Sequence, residues 1–459
     1  MSNTSDCDRS AEGAVMDTWQ TTSAADLGRA IEAGALDPRE LVERFLEAIT
    51  SHPDSSLIYA RLTPERARIE AGAAYARQQS GSRLGPLDGV PISWKDNFDS
   101  AGVATEGGSR LLAGRVPEAD CPALSLATQA GLVCLGKTHL SELAFSGLGL
   151  NPMMATPPNA FDRRRVPGGS SSGAAVSTTA GLAAAGIGSD TGGSVRIPAA
   201  WNGLVGLKTT IGAIASEGVI PLSVSFDTPG PLTRTVEDAF LLLNAMTGRS
   251  GDTPDPALPD RLTVAETLVL DMLDPEVAEA FDDALGRLDA AGIAIGRSPV
   301  PEFQESADVL ASHGGVIISE AWREWGATIE AQPDTMFHQI ETRFRGGASY
   351  SSGDEAHAHS VQARLHERIS ARIAEGGMLV MPTSPILPPL NSRLLGDEAY
   401  YVEKNLLGLR NTRQANLLGL SSITLPTAAP MVGLMLFAGA NEEDRLVAAG
   451  RALEPILTA

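Results

Sequence analysis

The chain has 459 residues, of which 43% are hydrophobic and 20% charged, a composition that excludes the disordered and fibrous classes and predicts a folded globular protein. Its 56 acidic and 35 basic residues give a net charge of −21, which repels the phosphates of nucleic acids and of anionic membranes. The three cysteines have no paired spacing, which argues against a disulfide framework. The sequence has no run of about 20 apolar residues, which argues against a membrane span.

The N-terminal residues are polar and acidic and lack the basic and apolar regions of a secretory signal, so we expect a cytoplasmic protein. Residues 1–16 are predicted to be a loose head, and residues 17–459 to be the folded domain. Two amphipathic helices begin this domain. The second is predicted to begin at Asp37, with Pro38 in its first turn and Glu40 as a capping glutamate.

Short apolar runs then alternate with helical patterns, which predicts an α/β fold built on a largely buried sheet. The runs lie at 90–94, 132–135, 184–187, 263–270, 378–381, 423–425 and 432–437. A long helix is predicted over 354–375, ending at the glycines 376 and 377. The Asp- and Pro-rich stretch at 250–260 can be a linker, but strands on both sides of it favour a single domain.

The densest cluster of small and hydroxyl residues forms two Gly/Ser segments, at 168–173 and 188–194. A flexible linker is the alternative interpretation, but a helical pattern and an apolar strand separate the segments and place them at the ends of regular elements. Consecutive glycines before a serine let several backbone N–H groups converge on one point, as an oxyanion hole requires. The candidates for that hole are Thr191, Gly192, Gly193 and Ser194.

A serine hydroxyl needs a base to take its proton, and histidine is the usual base. None of the seven histidines lies in a comparable catalytic setting, and the pair His357 and His359 is interpreted as packing or solvated rather than metal-binding. Lysine is the remaining candidate. Lys95 directly follows the apolar run at 90–94, and burial at a strand end lowers a lysine pKa because it disfavours the charged form. A surface lysine is the alternative.

The segments at 89–97, 136–138, 168–173 and 188–198 resemble the amidase signature enzymes in order and spacing, and the resemblance covers about residues 20–250. It implies the amidase signature fold, a single large domain with a mostly buried mixed β-sheet flanked by helices, with the signature core at about 80–215. It also implies roles for three residues: Ser194 as nucleophile, Ser170 as a bridging serine with a cis peptide bond, and Lys95 as general base. Asp190 and Arg196 match positions that order the nucleophile loop.

The stretch at 131–138, Gly-Leu-Val-Cys-Leu-Gly-Lys-Thr, also satisfies the pattern of a phosphate-binding loop and so suggests a nucleotide hydrolase. Such a loop follows a strand and contains small residues, whereas 132–135 is itself the predicted strand. We therefore reject this interpretation.

The resemblance implies a hydrolase of C–N bonds other than peptide bonds, acting on a small neutral amide, an aryl amide or a carbamate through an acyl-serine intermediate. The alternative is the amidase subunit of a tRNA-dependent amidotransferase. Ile197 argues against it, because glutamine-using members usually have a polar residue there.

We expect substrate binding at Phe145 and Gly147, with Trp322 and Trp325 either in a lid or in core packing. No cofactor and no metal are expected. The expected partner is a small-molecule substrate, with no nucleic acid and no membrane, and a homodimer is left open.

Overall fold

An 11-stranded mixed sheet runs through the computed structural model, which describes residues 18–313 and 315–459. The strands are β1 (Tyr59–Leu62), β2 (Pro91–Lys95), β3 (Val133–Thr138), β4 (Ala185–Asp190), β5 (Val205–Lys208), β6 (Thr228–Thr233), β7 (Arg261–Ala265), β8 (Ala294–Ser298), β9 (Met378–Pro382), β10 (Ser421–Pro426) and β11 (Gly433–Ala438). Across the sheet their order is β1-β3-β2-β4-β6-β5-β10-β11-β9-β7-β8. β2 is parallel to β3 and β4, and β7 is parallel to β8 and β9, whereas the other neighbours are antiparallel.

Helices flank this sheet. They are α1 (Ala24–Glu32), α2 (Pro38–Ser51), α3 (Ser55–Ile58), α4 (Pro64–Ser80), α5 (Pro122–Gln129), α6 (Ser172–Thr179), α7 (Arg196–Trp201), α8 (Val236–Thr247), α9 (Pro275–Ala290), α10 (Pro301–His313), α11 (Val316–Ala331), α12 (His338–Gly346), α13 (Ser352–Gly376), α14 (Asn391–Gly396), α15 (Glu398–Gly408), α16 (Arg413–Leu417) and α17 (Glu443–Thr458). Within the described residues, none of these helices is both long and apolar enough to cross a membrane.

The sheet confirms the predicted α/β class and the single domain. The stretch at 250–260 does not separate two domains, because β7, which follows it, pairs with β9, and β9 in turn pairs with β11. Most predicted runs are strands with small shifts at their ends. The run at 263–270 is a strand only as far as Ala265, because the chain turns where Leu268 adopts a φ of 67°.

The helix ends follow the predicted signals in part. Asp37 caps α2 and accepts the Arg39 N–H at 2.8 Å. Glu40 is not the capping partner, because its carboxylate instead accepts from Arg44 Nη2 at 2.8 Å, one turn further along. The long helix α13 ends at Gly377, which has a φ of 81°. The predicted loose head at 1–16 lies outside the described residues.

The phosphate-loop pattern at 131–138 falls largely on β3, as its rejection required. Lys137 is fully buried in that strand, where Nζ donates to Thr105 Oγ1 at 3.0 Å and to the Phe98 carbonyl oxygen. The same Nζ lies 3.4 Å from Asp96 Oδ1. These protein groups occupy the amine, so it is not available to bind a phosphate.

Candidate active site

Both Gly/Ser segments lie at the edge of the sheet where the parallel strands β2 and β4 end. β2 ends at Lys95 and β4 ends at Asp190, and the carboxyl ends of neighbouring parallel strands share one edge. The first segment leads into α6, and the second joins β4 to α7. A backbone hydrogen bond of 3.2 Å from the Ser171 N–H to the Ser194 carbonyl oxygen joins the two segments.

Lys95 is fully buried at this edge, so the alternative of a surface lysine is wrong. Its Nζ lies 2.7 Å from Ser170 Oγ, 2.8 Å from Ser189 Oγ and 3.3 Å from the Ser189 carbonyl oxygen. Burial lowers the pKa of Lys95 to about 7, although the negative charges of Asp227 and Asp190 oppose this shift. About half of these amines are therefore neutral at pH 7 and able to accept a proton.

Ser170 and Ser194 lie on either side of the junction between the two segments. The peptide bond from Gly169 to Ser170 is cis, as the resemblance implies. Ser170 is fully buried, whereas Ser194 is 5% exposed and lines a cavity. The structure therefore brings Lys95 and Ser170 into contact and places Ser194 on the adjoining segment, at the cavity wall.

A buried ion pair holds the loop that carries Ser194. Arg196 Nη2 lies 3.0 Å from Asp190 Oδ1, and both side chains are fully buried. Burial alone raises the pKa of Asp190, but the charge and hydrogen bond of Arg196 outweigh it and hold that pKa well below its usual range. The charged carboxylate also accepts the N–H groups of Gly193, at 2.8 Å, and Val195, at 3.1 Å. These contacts order the turn before α7.

The backbone N–H groups of this turn differ in whether they have an acceptor. That of Gly193 is bound to Asp190, and Gly193 is not one of the described cavity-lining residues. Those of Thr191, Gly192 and Ser194 meet no acceptor in the part of the chain that the structure describes, and all three residues line the cavity. Three backbone donors are thus available beside the serine.

The cavity has a volume of about 170 Å³. Much of its wall is apolar, and includes Phe145, Leu222, Leu310, Ile317, Leu406 and Leu409. Gly147, expected at the substrate, lies behind this wall among the described residues. Its N–H donates to Asn405 Oδ1 at 2.9 Å, and a Cβ added to it would lie 2.8 Å from the Leu409 side chain.

Two guanidinium groups, Arg343 and Arg413, complete the lining. Arg343 donates from Nη1 to the Phe145 carbonyl oxygen at 3.0 Å, and its Cζ lies 4.2 Å from the centre of the Phe145 ring. Arg413 lies beside the loop that carries Ser194, because a Cβ added to Gly192 would be 3.7 Å from Arg413 Cβ. Burial lowers the pKa of each arginine to about 10, and the charge of Arg343 contributes to the shift of Arg413. Both therefore stay cationic at neutral pH.

Sequence reasoning missed Asp227, whose buried carboxylate supports the same loop. It accepts the N–H groups of Leu222, at 2.8 Å, and Ser223, at 3.0 Å, and the hydroxyl of Thr191. Burial raises the pKa of Asp227 to about 6 against these hydrogen bonds. The only signal in the sequence is its position directly before the Pro- and Gly-rich run at 228–233, which is not typical of a strand.

The tryptophans proposed for a lid do not line the cavity in the described residues. Trp325 Nε1 donates to the Pro221 carbonyl oxygen at 2.8 Å, and the ring is buried. Trp322 packs beside Gly326, where an added Cβ would lie 2.8 Å from its ring. Packing is therefore the role that the structure gives to both side chains.

One group of possible metal ligands, Glu320, Glu355 and His359, occurs in the described residues. The carboxylates are already bound by protein groups: Glu320 accepts from the hydroxyls of Ser223 and Ser225, and Glu355 pairs with Arg323 at 2.9 Å. The His359 ring stacks on Phe226 at 6.3 Å. These contacts account for the three side chains by packing and hydrogen bonding.

Comparison with known proteins finds a match to the Amidase family model over residues 40–447. A 2-amino-5-chloromuconic acid deaminase of Comamonas testosteroni is 34% identical over 457 residues, covering 95% of this chain and 97% of that protein. A glutamyl-tRNA(Gln) amidotransferase subunit of Prochlorococcus marinus is 31% identical, covering 93% of this chain and 96% of that protein.

Among solved structures, an amidase aligns with a TM-score of 0.86 at 28% identity, covering 95% of this chain and 100% of the other. The native peptide amidase of Stenotrophomonas maltophilia aligns with a TM-score of 0.78 at 27% identity, covering 95% and 97%.

Proposed function

The chain belongs to the amidase family and is a hydrolase of C–N amide bonds, and we propose that it acts through Ser194, Ser170 and Lys95. The observation that carries this proposal is the 2.7 Å contact between Lys95 Nζ and Ser170 Oγ, beside the cavity that Ser194 lines. Because about half of the Lys95 amines are neutral at pH 7, Lys95 can act as a base. Ser170, which Lys95 contacts, is proposed to pass it the proton of Ser194.

In the first half-reaction, Ser194 Oγ attacks the carbonyl carbon of the amide. The Ser194 proton moves to Ser170 Oγ, while Ser170 gives its own proton to the neutral Lys95 amine. Collapse of the tetrahedral intermediate breaks the C–N bond, and the same two groups return the proton to the leaving nitrogen. The products of this half-reaction are an acyl ester on Ser194 and a free amine or ammonia.

In the second half-reaction, water attacks the acyl ester and gives a proton to Ser170 and Lys95, and the acid leaves as Ser194 regains its proton. The negative oxygen that forms in each half-reaction needs donors fixed in place beforehand. We assign this role to the N–H groups of Thr191, Gly192 and Ser194. The N–H of Gly193 instead holds the turn through Asp190.

The test is turnover of a panel of amides, esters and carbamates by four single variants. Ser194→Ala, Ser170→Ala and Lys95→Met are each expected to lower kcat/KM by at least about 1,000-fold without changing the melting temperature greatly. Ser172→Ala is the matched control, because Ser172 is as buried as Ser170 in the same segment, but among the described residues its hydroxyl approaches only the His139 carbonyl oxygen, at 3.3 Å. Wild-type turnover in Ser194→Ala would refute the proposal.

Within this activity, the candidate substrates are a small amide, an aryl amide and a carbamate, and the same panel ranks them. The relative from Comamonas testosteroni supports a second candidate, hydrolytic removal of nitrogen from a small unsaturated acid. Release of ammonia from an aminomuconic acid, dependent on Ser194, is the measurement for this candidate.

The role of an amidotransferase component is the alternative that the relative from Prochlorococcus marinus supports. It predicts glutaminase activity and co-purification with partner proteins. Ile197 is fully buried behind the turn, and its Cδ1 would lie 3.1 Å from a Cβ on Gly193, so this position is apolar packing. We therefore favour the free-standing hydrolase, which is expected to be active when purified alone.

A further inference from the structure

Two arginines line the cavity without a carboxylate partner in the described part of the chain. Both arginines are half-buried. Among the described residues, Arg343 contacts Phe145 but has no acidic group at salt-bridge distance, and the Arg413 side chain donates only to the Leu406 carbonyl oxygen, at 3.4 Å. Two other arginines of this chain show how such a charge is compensated: Arg196 is paired with Asp190, and Arg234 donates to the carbonyl oxygens of Ala184 at 2.7 Å and Gln20 at 2.6 Å.

Leaving these two cations unpaired is costly. Burial disfavours the charged form of each, and Arg413 also experiences the positive charge of Arg343. A charge withdrawn from water is destabilising unless a counter-charge or hydrogen bonds compensate it. The chain has 56 acidic side chains and a net charge of −21, yet it places none of the described ones against this pair. An anionic group of a ligand would supply the missing counter-charge.

The Arg343 guanidinium and the backbone that carries Arg413 are held in place before any ligand binds. The Phe145 ring and its carbonyl oxygen fix Arg343 from one side. Arg413 begins α16, directly after Thr412, whose hydroxyl donates to the Gly192 carbonyl oxygen at 2.7 Å. A planar guanidinium group matches the two oxygens of a carboxylate, which it binds through paired hydrogen bonds.

We propose that Arg343 and Arg413 bind a carboxylate of the substrate, so that the enzyme acts on small amides that carry a free carboxylate, such as monoamides of dicarboxylic acids. The proposal rests on the proposed function, because it places the carboxylate in the cavity where Ser194 attacks. It replaces the neutral substrate that the sequence resemblance implied. The small cavity restricts the substrate to a short chain between the carboxylate and the amide.

The kinetic test compares each monoamide of the series from malonic to adipic acid with its methyl ester, which keeps the amide and removes the charge. For the best acid, wild-type kcat/KM is expected to exceed that of the ester at least tenfold. Arg343→Met and Arg413→Met are expected to lower kcat/KM of the acid at least tenfold more than that of the ester, mainly through KM, so that the ratio of acid to ester falls toward one. Equal use of acid and ester by the wild type would overturn the proposal.

Arg345→Met is the matched control, because Arg345 lies on the same helix α12 and pairs with Glu341 at 2.7 Å outside the cavity. It is expected to leave the ratio of acid to ester unchanged. A purely structural role for Arg343 would slow acid and ester equally, which is a second outcome that overturns the proposal. The decisive measurement is therefore whether Arg343→Met and Arg413→Met lose the preference for the acid over its ester.

A binding experiment separates this proposal from the catalytic one. Calorimetric titration of the Ser194→Ala protein with succinate, glutarate and adipate, and with the neutral diamides, needs no turnover. The diacids are expected to bind at least ten times more tightly than the diamides, and Arg343→Met in the same background is expected to abolish the difference. Equal binding refutes the carboxylate site even if Ser194 proves essential, whereas tight diacid binding with an active Ser194→Ala refutes only the catalytic proposal.

Discussion

The pH dependence of turnover follows directly from the environment of Lys95. A lysine with the ordinary pKa of 10.5 has about one neutral amine in 3,000 at pH 7, whereas a pKa of about 7 leaves about half of them neutral. In the proposed mechanism, only the neutral amine accepts the proton that Ser170 passes on. kcat/KM is therefore expected to rise about tenfold per pH unit below about pH 7 and to level off above it.

The assay joins kinetics to a direct titration of the amine. The chain has only four lysines, Lys95, Lys137, Lys208 and Lys404, so lysine labelled with ¹³C at Cε gives four signals, each assigned by its Lys→Met variant. The Lys95 signal is expected to titrate with the midpoint of the rate profile.

Lys208 provides the control, since burial lowers its pKa to about 7 as well. Its Nζ contacts the carbonyl oxygens of Thr209, at 2.7 Å, and Leu420, at 3.0 Å, rather than a serine at the cavity. In Lys208→Met, kcat/KM is still expected to rise with pH up to about pH 7 and then to level off. The reasoning is refuted if the Lys95 amine stays charged up to pH 9, or if its midpoint differs from that of the rate.

Three further outcomes are expected. Asp190→Asn leaves the buried Arg196 without its counter-charge and should lower the free energy of unfolding, measured in urea, by about 3–5 kcal/mol. Asp26→Asn breaks the pair with Arg29, whose side chains are 54% and 56% exposed, and should lower it by less than about 1 kcal/mol. Gly193→Ala puts a Cβ 2.1 Å from Thr412 Oγ1 at a φ of 135° and should lower the melting temperature. Gly192→Ala, whose added Cβ has its nearest neighbour at 3.7 Å, should not. Equal melting temperatures of the two variants would contradict this prediction. Asp227→Asn removes a negative charge that raises the pKa of Lys95. The pH at which kcat/KM levels off should therefore decrease, and an increase would contradict the reasoning.

The sequence predicts the chemistry-bearing half of the site better than the rest. Lys95 follows an apolar run, and the Gly/Ser segments are local patterns that lie at strand and helix ends. By contrast, the sequence of β6 does not predict a strand, because Pro229 and Pro231 have no N–H to donate. It fits beside β4 because Thr228, Gly230 and Leu232 keep theirs, and because β5 pairs only with the end of β6.

The two cavity arginines could not be predicted for a different reason. Arg343 lies 149 positions beyond Ser194 in a helix without a recognisable motif, and only tertiary packing brings it to the serine. An arginine in a helix usually faces solvent and pairs with a neighbour, as Arg345 does with Glu341. Arg343 instead lines the cavity and has no acidic partner among the described residues, and both properties exist only in the folded chain.

The contacts that position Ser194, the proposed nucleophile, also position the proposed carboxylate site. Asn416 Nδ2 donates to Asp190 Oδ1 at 2.9 Å, and Arg196 Nη2 donates to Asn416 Oδ1 at 2.7 Å, so α16 is joined to the buried ion pair under the Ser194 loop. Thr412 adds its hydrogen bond to Gly192 one residue before Arg413. Because Arg413 and Ser194 are fixed to the same contacts, the distance from the bound carboxylate to the attacking oxygen is set by the fold. Under this proposal, the loop that carries Ser194 selects substrate length.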